Sequence, residues 1–151
     1  MTETDDFDYS GWAEQKGIEC AGKAHDCGIG ALTEPERLVF LIHQLVGEVG
    51  NGGVEQFFSN SSGAFALQTV DALWIVGAPK TAKRLAALNG LFPGGQPSTD
   101  GGKRDGELDA VLERHDDDLR SFDKFLMGSD ENDYRTEEDL YLLLYRHVMK
   151  K

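Results

Sequence analysis

Residues 50–63 read GNGGVEQFFSNSSG, and the reading of this stretch decides the fold. Asn51-Gly52-Gly53 reaches backbone angles that are costly for ordinary residues, which predicts a sharp turn. Val54, Phe57 and Phe58 then recur at helical spacing, and Asn60-Ser61-Ser62 offers side chains able to cap a new helix start. The stretch therefore predicts a tight turn, one short buried helix and a second turn, drawing the two flanking helices together. A phosphate-binding loop is the functional alternative. Such loops follow a strand and carry GxGxxG, or GxxxxGK before Ser or Thr; this one follows a helix and fits neither.

Upstream, Thr33-Glu34-Pro35-Glu36 has the form of a capping box. The Thr33 hydroxyl takes the Glu36 amide and the Glu36 carboxylate reaches back, while Pro35 loses nothing in a first turn. A helix from Glu34 to about Val49 follows, with Leu38, Leu41, Ile42, Leu45 and Val49 on one face. His43 lies off that stripe and is expected to be a polar surface residue. Residues 1–26 carry seven acids and two lysines and predict a polar start, then a moderately amphipathic helix over about 8–25. Gly17 and Gly22 weaken that helix by ~1 kcal/mol each relative to Ala. Cys20, His25, Cys27 and His43 raise the question of zinc. Structural zinc ligands pair at C-x2–4-C spacing; Cys20 and Cys27 are too far apart for that and no second pair exists, so no metal is expected.

Downstream, Ala64 to Val76 is almost wholly apolar and is expected to sit in the middle of the bundle. Gly77-Ala78-Pro79 breaks it. Lys80 to Leu91 predicts a further helix, and Lys80, Lys83 and Arg84 form the chain's basic cluster. Residues 92–106 read as a long Gly/Pro-rich loop, functional or mobile. A helix from Asp105 to about Met127 buries Leu108, Val111, Leu112, His115, Leu119, Phe122 and Leu126, and Gly128-Ser129-Asp130 ends it. Thr136 is expected to cap a last helix that buries Leu140, Leu143, Leu144, His147 and Val148. No strand alternation occurs anywhere. The fold class is all-α: a compact bundle of about six helices around a central apolar helix. It forms a single domain over residues 1–151, with 1–30 as a variable N-terminal segment.

A net charge of −12 disfavours direct contact with nucleic acid or anionic membranes and favours basic partners. The acidic start MTETDDFDYS is unlike a signal peptide and no apolar run approaches ~20 residues, so a cytoplasmic protein with free thiols is expected. Between Asp105 and Asp139 there are fourteen acids against Arg114, Arg120, Lys124 and Arg135. Asp105, Asp109, Glu113 and Asp117 fall four apart and stack at ~6 Å intervals along one helical face, flanked by Asp116 and Asp123. Like charges at that spacing cost a few tenths of a kcal/mol per pair. The row is nonetheless sparse beside duplex DNA, which carries one charge per ~1.7 Å of axis. A second row is needed, from Glu137, Glu138 and Asp139, from the acidic N-terminus, or from a second copy. A merely solubilising acidic face is the bland alternative.

Thr33-Glu34-Pro35-Glu36, Glu48-Val49 before Asn51-Gly52-Gly53, and Gln56-Phe57-Phe58-Ser59-Asn60-Ser61-Ser62-Gly63 together resemble the signature of a bacterial DNA-mimic protein family, formerly a domain of unknown function. Gly77-Ala78, Phe92-Pro93, Pro97 and Arg104 continue the likeness, which spans about residues 33–127. The resemblance implies an acidic all-helical dimer; no cofactor or catalytic residue is expected. Its carboxylates would stand where DNA phosphates stand and occupy the basic surface of a helix-turn-helix type transcription regulator. Asp105, Asp109, Glu113, Asp116, Asp117, Asp123, Glu137 and Glu138 are the expected partner-binding residues. Asn51, Gly52, Gly53, Gln56, Phe57, Asn60 and Gly63 are expected to form the structural turn. An immunity protein that neutralises a basic toxin is the alternative in the same class. An enzyme would need a site from His43, Glu48, Glu55 and Asp71, and no HExxH motif or nucleophile elbow supports one.

Overall fold

A computed structural model describes residues 7–128 and 138–150. Among them run six α-helices and short 3-10 turns, with no strand: α1 (Tyr9–Cys27), α2 (Glu34–Ser59), α3 (Ala66–Val76), α4 (Pro79–Asn89), α5 (Gly101–Met127) and α6 (Leu140–Val148). The expected all-α bundle is found. Its central helix is α2, which packs against α1, α3, α5 and α6. Val39, Phe40, Leu41, Ile42 and Leu45 are all buried, so α2 is covered on several sides rather than along one stripe. The expectation that Ala64–Val76 lies in the middle is corrected: α3 buries Ala66, Thr69, Ala72, Leu73 and Val76 but exposes Leu67, Trp74 and Ile75. A short helix laid against α2 and α4 keeps one side in solvent, whatever its composition.

The sharp turn falls at Gly52 (φ −150°, ψ 18°) and Gly53 (φ 80°, ψ 174°), whose non-helical angles divide α2 into a long first part and a short second one. Only glycine takes the Gly53 angles without strain. The short helix beyond the kink buries Val54, Phe57 and Phe58. Asn60 does not cap the next turn as expected. Its side chain crosses the kink to donate to Glu48 (2.8 Å), beside Gln56, which donates to the same oxygen (2.7 Å).

Two histidines lie elsewhere than expected. The His43 side chain is only 14% exposed; it pairs with Glu14 (3.2 Å) and stacks on Tyr141. A position off the main stripe is still covered when the helix is central. Gly17 is explained by this packing, since a Cβ there would enter the His43 ring. His115 is not part of the buried α5 stripe. Its backbone (φ −131°, ψ 28°) leaves the helical region, and its ring faces Asp118 (3.1 Å).

The loop expected over 92–106 is shorter, because α5 begins at Gly101. Asp100 caps it by accepting the Lys103 amide (2.8 Å), which outweighs the poor helix propensity of Gly101, Gly102 and Gly106. The α6 cap is Asp139, accepting the Leu142 amide (3.2 Å); the expected cap Thr136 lies outside the described residues. Leu140 and Leu144 are buried, with Leu143, His147 and Val148 partly so. No described helix is long and apolar enough to cross a membrane.

Candidate partner-binding face

The outer side of α5 carries Asp105, Asp109, Glu113, Asp116 and Asp117, all exposed, together with Asp118, which sequence reasoning did not single out. The kink at His115 breaks the four-residue stacking. Asp105, Asp109 and Glu113 share one line, while Asp116, Asp117 and Asp118 follow in a new register beyond it. Asp109, Glu113 and Asp117 make no ion pair or hydrogen bond among the described residues. Asp105 accepts only a long bond from the Ser59 hydroxyl (3.3 Å).

Arg120 limits this face on one side. Its guanidinium reaches Glu55 (2.8 Å), Asp116 (3.2 Å) and Asp123 (3.4 Å). The Glu55 bond above all holds the Arg120 proton more tightly than usual. Asp123 belongs to the scaffold: its Oδ1 accepts the amide of buried Val54 at the α2 kink (2.7 Å). Burial pushes its carboxyl up, against the pull of that amide and of Arg120. Glu138 is likewise occupied, accepting the Lys80 amide (3.0 Å), the Thr81 amide (2.7 Å) and the Thr81 hydroxyl (2.8 Å) at the start of α4. Glu137 lies outside the described residues. Of the expected partner-binding residues, Asp105, Asp109, Glu113, Asp116 and Asp117 are exposed on α5, on either side of the His115 kink, while Asp123 and Glu138 are turned to capping.

At the start of α5 lies Arg104, 2% exposed and without a carboxylate partner among the described residues. Its Nε donates to the Phe58 carbonyl (2.6 Å), Nη2 to Asn60 (2.9 Å), and Nη1 to Ser98 (2.9 Å) and Thr99 (3.4 Å). Gly63 must lack a side chain because a Cβ would collide with Arg104 and the Phe58 backbone. The turn motif is the seat of this guanidinium.

The enzymatic alternative finds no assembled site. His43 faces Glu14, Glu48 holds Gln56 and Asn60, Glu55 pairs with Arg120, and Asp71 sits exposed on α3. Cys20 is buried and Cys27 exposed, and burial pushes the Cys20 thiol up. Among the described residues no three His, Cys, Asp or Glu side chains are grouped to hold a metal ion.

Fold and surface together define an acidic all-helical protein whose turn motif is scaffold and whose outward chemistry is carboxylate. The family model described as DMP19-like protein matches residues 30–150, and the chain belongs to that family of DNA mimics. The match extends past the signature at both ends and takes in α6. No curated protein and no solved structure matches the chain.

Proposed function

We propose that this protein is a non-enzymatic binding protein that works in the cytoplasm by masking the basic, nucleic-acid-binding surface of a partner, such as a helix-turn-helix regulator. The observation that carries this reading is the set of exposed α5 carboxylates, of which Asp109, Glu113 and Asp117 have no cation spent on them. Membership of the DNA-mimic family supports it. The carboxylates steer a cationic surface into encounter and then compete with phosphates for its lysines and arginines. One row at ~6 Å spacing is too sparse for duplex DNA at one charge per ~1.7 Å, so a second copy supplies the second row.

The partner is found by pull-down from the native host with mass spectrometry. Its affinity is then measured against salt for wild type and for the combined Asp109→Lys, Glu113→Lys, Asp116→Lys and Asp117→Lys variant. Binding falls steeply as salt rises and is abolished by the reversal. Unchanged affinity in the reversed protein removes the reading.

A further inference from the structure

A cleft of about 590 Å3 lies between the first turns of α3, the 3-10 turn Ser61–Phe65 and the connection from α4 to α5. Its loop wall is fixed from behind. Arg104 holds the Ser98 and Thr99 carbonyls, and the Glu107 carboxylate accepts the Ser98 amide (2.9 Å). Phe92 anchors the start of the connection, buried against Phe58 with ring centroids 4.9 Å apart. The cleft is therefore preformed, and its size is that of a ligand site.

Besides Ser98, Thr99 and Glu107 of the loop wall and α5, the polar side chains Gln68, Asp71, Gln96 and Lys103 line it. None of these last four makes a side-chain hydrogen bond or ion pair among the described residues. Each glutamine amide offers both a donor and an acceptor, which is what a peptide group requires. Leu67 adds exposed apolar surface. Two carboxylates, Asp71 and Glu107, stand against one ammonium, in a chain of net charge −12. That balance selects a cation. The same helix that bears the acidic face lends Lys103 and Glu107 to the cleft, so the two surfaces adjoin.

We infer that this cleft takes an extended basic peptide segment, an arginine- or lysine-bearing arm of the partner whose folded surface meets α5. Asp71 receives the cationic side chain, and Gln68 and Gln96 receive the peptide backbone. The inference rests on the masking reading for the partner's identity as a basic protein, but the cleft is tested without that partner.

The probe is acetyl-Ala-Ala-Arg-Ala-Ala-amide, titrated into the 15N-labelled full chain at physiological salt. Saturable shifts are expected at the Gly63, Gly94 and Gly95 amides. Asp71→Lys weakens binding at least about tenfold, the loss of one charge-assisted hydrogen bond. Gln96→Ala weakens it less. The four-residue α5 reversal weakens it less than Asp71→Lys does, because none of those four side chains lines the cleft. Shifts confined to α5 amides, or equal binding of the same peptide with glutamate in place of arginine, overturn the inference. Free argininamide binding as tightly as the peptide also overturns it, since a small cation and not a chain segment would then be the occupant. Cleft binding with no effect of the α5 reversal on partner affinity sinks the masking reading and leaves the cleft standing.

Discussion

A buried guanidinium is tolerated when its donors find acceptors, and Arg104 aims four of its five N–H groups at backbone carbonyls, with no counter-ion among the described residues. The carbonyls of Phe58 and Asn60 sit where α2 ends, and helix ends leave such groups unpaired. Arg104→Lys keeps the charge but replaces a planar fork by a point donor that cannot span those positions. The variant should lose on the order of 2–4 kcal/mol, read as a lower urea midpoint; an unchanged midpoint would show that the fork is dispensable. A second residue, Asp123, gives a pH signature. Its carboxyl is raised by burial, so the group binds its proton more tightly folded than unfolded. Its contribution to stability is full below the unfolded value of about 3.9 and is lost as pH rises through the folded one. Asp123→Asn removes that loss and keeps an acceptor for the Val54 amide, whereas Asp123→Ala strands the amide and costs about 1–3 kcal/mol. Thermal melts across pH 3 to 7 separate the two. Neither role was legible beforehand. Gly63 and Arg104 both stood in the signature, but a contact between distant positions leaves no local pattern, and Asp123 looked like any other acid on a helix.

At the scale of elements, the joint between α1 and α2 carries its own test. Glu36 Oε1 accepts the Thr33 amide (2.8 Å) and the Lys23 ammonium (2.8 Å), and the Thr33 hydroxyl accepts the Glu36 amide (3.3 Å). The Lys23 bond, then the Thr33 amide, bring the Glu36 carboxyl down to about 2. A depressed carboxyl stabilises the fold above its unfolded value of about 4.3, and that contribution fades as pH falls toward 2. Wild type should therefore melt above Glu36→Gln at pH 7, with the gap closing between about pH 5 and 2. A gap independent of pH would mean that the carboxylate does no more than the amide. The capping box was plain from four consecutive residues; its partner Lys23 was not, because it arrives from another helix. The same distinction explains α5. Asp100 is a good cap, yet Gly101, Gly102 and Gly106 hid the helix start, and nothing local marks the kink at His115 that divides the acidic row.

For the molecule as a whole, the acidic row and the exposed apolar side chains of α3 lie on different helices. The free carboxylates lie along α5, while α3 exposes Leu67, Ile75 and Trp74, the last 49% exposed. Cations border this stripe: Lys83 stands 5.9 Å from the Trp74 ring centre, and Arg37 lines the groove beside Ile75. Copies of a chain with net charge −12 repel one another over most orientations. The Trp74–Ile75 end of α3 combines exposed apolar surface with neighbouring cations, so the second copy that the masking reading calls for is expected there, related by a twofold axis. Such self-association obeys the opposite salt rule from partner binding. Screening weakens repulsion between like-charged copies, so the dimer should strengthen as salt rises while the complex with a basic partner weakens. Sedimentation equilibrium at low and high salt reads this directly. Wild type should shift toward twice the 16.6 kDa chain mass with added salt, and Trp74→Glu should stay at one chain mass throughout. Wild type at one chain mass under every condition would remove the second copy, leaving a single acidic row too thin to stand in for a duplex.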